Sequence, residues 1–240
     1  MDKENILEKL KNVFSGKVNL NILENQVDVK TQMEYFELAV QLRRNLNISE
    51  ILENKDNLFD ENFSLEEKKK LLINLSSIDK VEAYRIIEKY SKIPNNELRD
   101  WSLLALQESK MLLESSLLGE HQVFISTGLG GKENKFRYFS SFFSNSEKFT
   151  SQQRKIIKKE IYFFIRQFGG EIEELKFRNN ITILLFCLPF SSKPGDFLIK
   201  VIDECNVLGD FISKRFIITN VKKFSFKEVS ELKKNKIDNV

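Results

Sequence analysis

The chain has 240 residues, 41% of them hydrophobic and 30% charged, with a formal net charge of +3. That length holds one large domain or two small ones, and the balance is that of a globular protein rather than a disordered or fibrous one. No apolar run approaches the ~18 residues of a membrane span, and two cysteines are too few for a disulfide framework.

The N-terminus, MDKENILEKLKNVF, is charged and amphipathic and lacks the apolar core of a secretory signal. Cys187 and Cys205 sit in apolar runs, as reduced core thiols of a cytoplasmic protein would. Residues 1–120 carry 17 Lys and Arg against 22 Asp and Glu, a net −5, whereas residues 121–240 carry 21 against 13, a net +8. An AT-rich coding sequence would explain the abundant Phe, Lys, Asn and Ile, but it would raise the positive charge of both halves. The split therefore predicts two domains, at residues 1–118 and 119–240.

In the first, Ile6, Leu7, Leu10, Val13 and Phe14 fall at helical spacing before Gly16. Residues 30–44 repeat the pattern, with Met33, Phe36 and Val40 as the apolar face, and the polar stretch after them reads as a helical turn and a loop. Ser64 and Glu67 form a capping box for a helix through Leu71, Leu72 and Leu75. Val81, Tyr84, Ile87 and Tyr90 mark the next helix, Pro94 breaks it, and a third runs from Glu97 to Leu118. This helix, turn, helix, Pro turn, helix order over residues 64–118 resembles a degenerate HEAT-type repeat. The resemblance implies a stacked-helix scaffold that engages a protein partner. The third helix is apolar nearly all round, which predicts burial on two sides, with Trp101 either an anchor of the interface to the second domain or a plain core residue.

The second half opens on His121–Phe143, where two strand-like runs flank a turn, Gly128–Asn134; a hairpin is expected. Thr150 and Gln153 cap a helix to Phe168. Strands follow at Glu171–Arg178 and Ile181–Leu188, joined by Asn179-Asn180, then a helix at Gly195–Leu208, a strand at Arg215–Val221 and a short helix after Ser225. From Lys135 the order is βαββαβ, that of a ferredoxin-like domain, here with an extra N-terminal hairpin strand. The expected class is α+β, a HEAT-like helical domain followed by a ferredoxin-like one. The third strand of that unit, ITILLFCL, lacks the aromatic run with which RNA-recognition motifs stack bases on their sheet. The segments DWSLLALQESKMLLESSLL and VFISTGLGGKENKFRYF also resemble an uncharacterised bacterial protein family, which implies a cytoplasmic protein and no particular activity.

The glycine loop fails the P-loop pattern: Ser126 stands where the first glycine belongs, and Glu133 follows Lys132. His121 is the only histidine, no nucleophile elbow surrounds Ser126 or Thr127, and Glu171, Glu173, Glu174, Asp203 and Glu204 read as solvated surface. No catalytic residue, metal or cofactor is expected, nor an enzyme. The helix at 151–168 is more informative. Ile157, Ile161, Phe164 and Phe168 form one stripe, and Lys155, Lys159, Tyr162 and Arg166 form the opposite one, widened by Arg154 and Lys158. A basic face bearing an aromatic contacts phosphates and stacks on a base. Lys132, Lys135, Arg137, Lys222 and Lys223 are expected to extend it. The expected function is a two-domain adaptor whose basic domain binds RNA or the ribosome, with no membrane contact. The alternative is a protein-interaction or structural module facing an acidic partner or a second copy.

Overall fold

The computed structural model describes residues 18–119 and 121–235, so the helix expected over Ile6–Phe14 lies outside the described residues. The chain is α+β and divides into two compact units, Met1–Ser126 and Thr127–Val240. The boundary falls later than residue 118 because strand β2, His121–Ile125, belongs to the first unit. It pairs in parallel with β1, Val18–Ile22, in one unbroken register. The expected hairpin across the glycine turn is therefore not formed. Residues 121–126 contain no Lys, Arg, Asp or Glu, so the charges of −5 and +8 hold for the two units as well.

The first unit carries five α-helices among the described residues: α1 Val29–Leu42, α2 Ile48–Glu53, α3 Leu65–Ser76, α4 Val81–Ser91 and α5 Arg99–Leu118. Side chains cap the starts of three of them. Asp28 accepts from the Lys30 amide, Asn47 from Glu50, and Ser64 and Glu67 close the capping box. One core joins the helices, built on Tyr35, Leu58, Leu72, Leu75, Ile87 and Leu104. Helix α1 turns a different face inward from the one its apolar pattern indicates. Met33 and Val40 are 58% and 60% exposed, whereas Gln32, Tyr35 and Ala39 are buried. The polar members go inside because they have partners: Gln32 Nε2 donates to the Val27 carbonyl at 2.8 Å, and the Tyr35 hydroxyl donates to Glu108. Helix α5 is also more one-sided than its composition suggests, with Leu117 and Leu118 exposed.

The second unit is a five-stranded antiparallel sheet with helices on both faces. Its strands are β3 Gly131–Lys132, β4 Lys135–Ser144, β5 Glu171–Arg178, β6 Ile181–Pro189 and β7 Ile212–Thr219. β4 and β6 are central, β5 flanks β6, and β7 and the short β3 pair with β4. The helices are α6 Ser151–Gln167, α7 Pro194–Val207 and α8 Phe226–Asn235. Alternation along β4 and β6 sends Tyr138 and Phe186 to the face under α7, where Phe186 meets Phe197 at 5.1 Å between ring centres. Phe139, Phe143, Ile181 and Ile183 go to the other face, closed by Val229 of α8.

The glycine loop is a docking element. A Cβ on Gly128 would stand 1.8 Å from the Val221 carbonyl oxygen, so only glycine lets the loop reach the end of β7. The Leu129 amide then donates to the Asn220 carbonyl at 2.9 Å, and Leu129 itself is buried.

Candidate nucleic-acid interface

The Thr150–Gln153 capping box starts α6, and Ile157, Ile161, Phe164 and Ile165 bury its inner face. The 3.6-residue repeat then forces Lys155, Lys158, Lys159, Tyr162 and Arg166 outward, and all five are exposed. Phe163, which the apolar pattern concealed, joins them at 55% exposure, beside Tyr162 at 50%. Helical spacing alone identifies Phe163 as outward, because it lies four residues after Lys159 and two from buried Ile161 and Ile165. Arg154 does not widen this face. It is half-buried, with its guanidinium 5.7 Å from the centre of the Phe177 ring.

Among the described residues Lys155, Lys158 and Arg166 carry no ion pair, and Lys159 meets only its neighbour Glu160, at 3.7 Å. The remaining expected cations are held differently. Lys132 and Lys135 both bind the Glu171 carboxylate, Lys132 at 2.7 Å. Arg137 grips Glu173 and also donates to the Leu129 carbonyl at 2.7 Å. Lys223 binds Glu174, and Lys222 binds Glu228 at 3.1 Å. Of the carboxylates expected as free surface, Glu171, Glu173 and Glu174 are thus counter-charges of the expected basic patch, whereas Asp203 and Glu204 are exposed.

A bulge makes this possible. Glu171 pairs with Cys187 and Glu174 with Leu185, two residues on one face of β6, so the extra residue in β5 brings both carboxylates to the same side. Arg137 stands opposite Cys187 on the other flank of β6. The hydrogen bonds from Lys132 and Lys135 pull the Glu171 carboxyl down to about 2. Arg137 holds Glu173 below the usual carboxylate range, and burial, with Glu173 nearby, pushes the Cys187 thiol up to about 12.

Trp101 lies in the core of the first unit, 5.5 Å from the Tyr35 ring, with the Lys69 ammonium 4.9 Å above its own ring. A second polar cluster stands beside it. Glu108 accepts from the Tyr35 hydroxyl at 2.8 Å, from Ser76 at 3.1 Å and from Arg43 at 2.7 Å to each oxygen. Burial, then the Glu108 charge, raises the Tyr35 pKa well above its ordinary value. Arg43, Ser76 and Glu108 line a cavity of about 420 Å³ whose walls also include Leu46, Met111 and Phe124. The cluster ties α1, α3 and α5 together, with every Glu108 oxygen engaged. Among the described residues no group of three or more His, Cys, Asp or Glu converges as a metal site, and no helix is long and apolar enough to cross a membrane.

No protein-family model matches the chain, and no curated protein matches it. Several solved structures are similar in part, two of them transposases. One is a REP-associated tyrosine transposase bound to a REP hairpin, at 11% identity and a TM-score of 0.33, covering 40% of this chain and 61% of that one. The other is a putative transposase from Deinococcus radiodurans R1, at 14% identity and a TM-score of 0.35, covering 45% of this chain and 93% of that one. The chain thus spans under two thirds of the first of these proteins. Both carry the name of an enzyme, so the expectation that this chain is not an enzyme is withdrawn. At these TM-scores the likeness lends it neither a reaction nor a catalytic residue.

Proposed function

We propose that the second unit binds RNA through the exposed face of α6, while the helical unit is a scaffold for a protein partner. The observation that carries this reading is the sorting of charge. The cations of β3 and of the start of β4, and those of the segment after β7, are matched to carboxylates, whereas Lys155, Lys158 and Arg166 face solvent with no ion pair among the described residues. Cations that are not neutralised by a carboxylate of the chain are available to meet phosphates. Helix α7 turns Asp196, Asp203 and Glu204 outward, which confines a polyanion to the α6 side of this layer.

The order β5-β6-β4-β7, with α6 and α7 as the two crossovers, supports a ferredoxin-like reading of this unit. The short connections among α3, α4 and α5 around one core support the HEAT-like reading of the first. The test is binding of a fluorescein-labelled hairpin RNA to the full chain and to a Lys155→Glu, Lys159→Glu, Arg166→Glu variant. The reading expects binding at low salt that the variant loses. Undetectable binding, or binding indifferent to these changes, sinks it. Capture of an acidic protein after nuclease treatment, with no RNA recovered, would favour the rival interaction-module reading.

A further inference from the structure

Resting on that RNA-binding reading, we infer that the α6 face recognises unpaired nucleotides rather than duplex, through Tyr162 and Phe163. Two aromatic side chains at 50% and 55% exposure on one helix carry an unmet hydrophobic cost. They stand among four cations, and the only carboxylate of that helix, Glu160, has 17% of its side chain exposed. At about 100° per residue, Lys155, Lys159 and Arg166 form a line down the middle of the face. Tyr162 lies on one flank of that line with Lys158, and Phe163 on the other. From Lys155 to Arg166 the line is roughly 17 Å long by the helical rise.

A duplex cannot use these rings. Its bases are stacked on one another, and the A-form major groove is too narrow to admit a helix. A single strand can lay its phosphates along the cation line and turn bases onto either ring, the combination by which single-stranded nucleic acid is held without sequence preference. Phe163 already meets Phe164 edge-on at 5.1 Å, which steadies the ring and leaves it half in solvent. An apolar protein partner would be favoured by the rings but not by a surrounding ring of cations with one weak counter-charge.

The experiment compares fluorescein-labelled oligo(U) with a blunt RNA duplex of equal length, by anisotropy, on the full chain. The expected result is tighter binding of the single strand. Phe163→Ala and Tyr162→Ala should each weaken oligo(U) by about tenfold while changing the duplex by less than about twofold. Phe163→Trp should restore oligo(U) binding, and Phe163→Leu, which keeps the apolar bulk, should not. Equal binding of the two RNAs, equal losses in both, or rescue by leucine overturns the inference but leaves RNA binding standing. Failure of both RNAs to bind overturns the RNA-binding reading as well.

Discussion

The Arg137 guanidinium lies fork to fork on the Glu173 carboxylate, Nε to Oε2 at 2.6 Å and Nη2 to Oε1 at 2.8 Å. This bidentate geometry is the strongest form of a charge-assisted pair. It sets the cations that pair with carboxylates, Lys132, Lys135, Arg137 and Lys223, apart from Lys155, Lys158 and Arg166 of α6, which face solvent with no ion pair among the described residues.

The division predicts different responses to neutralisation. Lys132→Gln should change RNA affinity by less than about twofold, because Lys132 is already committed to Glu171. Lys155→Gln should weaken binding and flatten its salt dependence by about one phosphate contact. Anisotropy titrations at several salt concentrations measure both. Comparable losses in the two variants would mean that Lys132 leaves Glu171 on binding.

The same carboxylates set an acid limit. Glu171 is depressed to about 2, from an ordinary glutamate value of about 4.3. A depressed carboxyl contributes stability that is present above the ordinary value and lost as pH falls through the folded one. The Glu171 bridges should therefore persist at pH 4 and fail toward pH 2. Carboxyl carbon shifts followed by NMR should give Glu171 a midpoint near 2, and a midpoint near 4 would show that the bridges do not form in solution. Glu171→Gln should remove this part of the acid sensitivity.

How far the residues announced these features depends on where the determining contact lies. The capping boxes at Ser64, Thr150 and Ser225 and the Asn179-Asn180 turn were legible because each is closed within four residues. The partner of β2 was not. The run from His121 to Ile125 reads as a strand whatever it pairs with, and its partner β1 is remote in sequence. The buried face of α1 misled for a similar reason: Tyr35 is inside because Glu108 and Ser76, on other helices, satisfy its hydroxyl. The matched charges around Glu171 depend on a bulge that no local pattern marks. Phe163 was readable from helical spacing, and aromatic composition drew attention to the core instead.

Tyr35→Phe tests the cluster in the first unit. The substitution keeps the ring against Trp101 and removes the donor to Glu108. A hydrogen bond to a charged group is worth about 1.5–3 kcal/mol, and Glu108 keeps Arg43 and Ser76, so the loss should lie near the lower end. Urea denaturation measures it. No loss would mean that the hydroxyl contributes nothing beyond its packing.

Two substitutions probe the frame of the second unit. Phe186→Ala empties the contact between Tyr138 and Phe197 and should cost about 3–5 kcal/mol. Gly128→Ala should destabilise by at least the 1–3 kcal/mol typical of overpacking, since its Cβ would meet backbone rather than a movable side chain. Thermal unfolding of each variant checks these values. A tolerated Gly128→Ala would show that the loop is not docked on Val221.

The most direct measurement is the salt dependence of single-stranded RNA binding by the full chain. Four cations on α6, if each meets a phosphate, give a slope of log affinity against log salt near −3. Replacing Lys155, Lys159 and Arg166 by glutamate should abolish both the slope and the binding. Binding that ignores salt, or a steep slope that survives the triple replacement, would contradict an RNA site on α6.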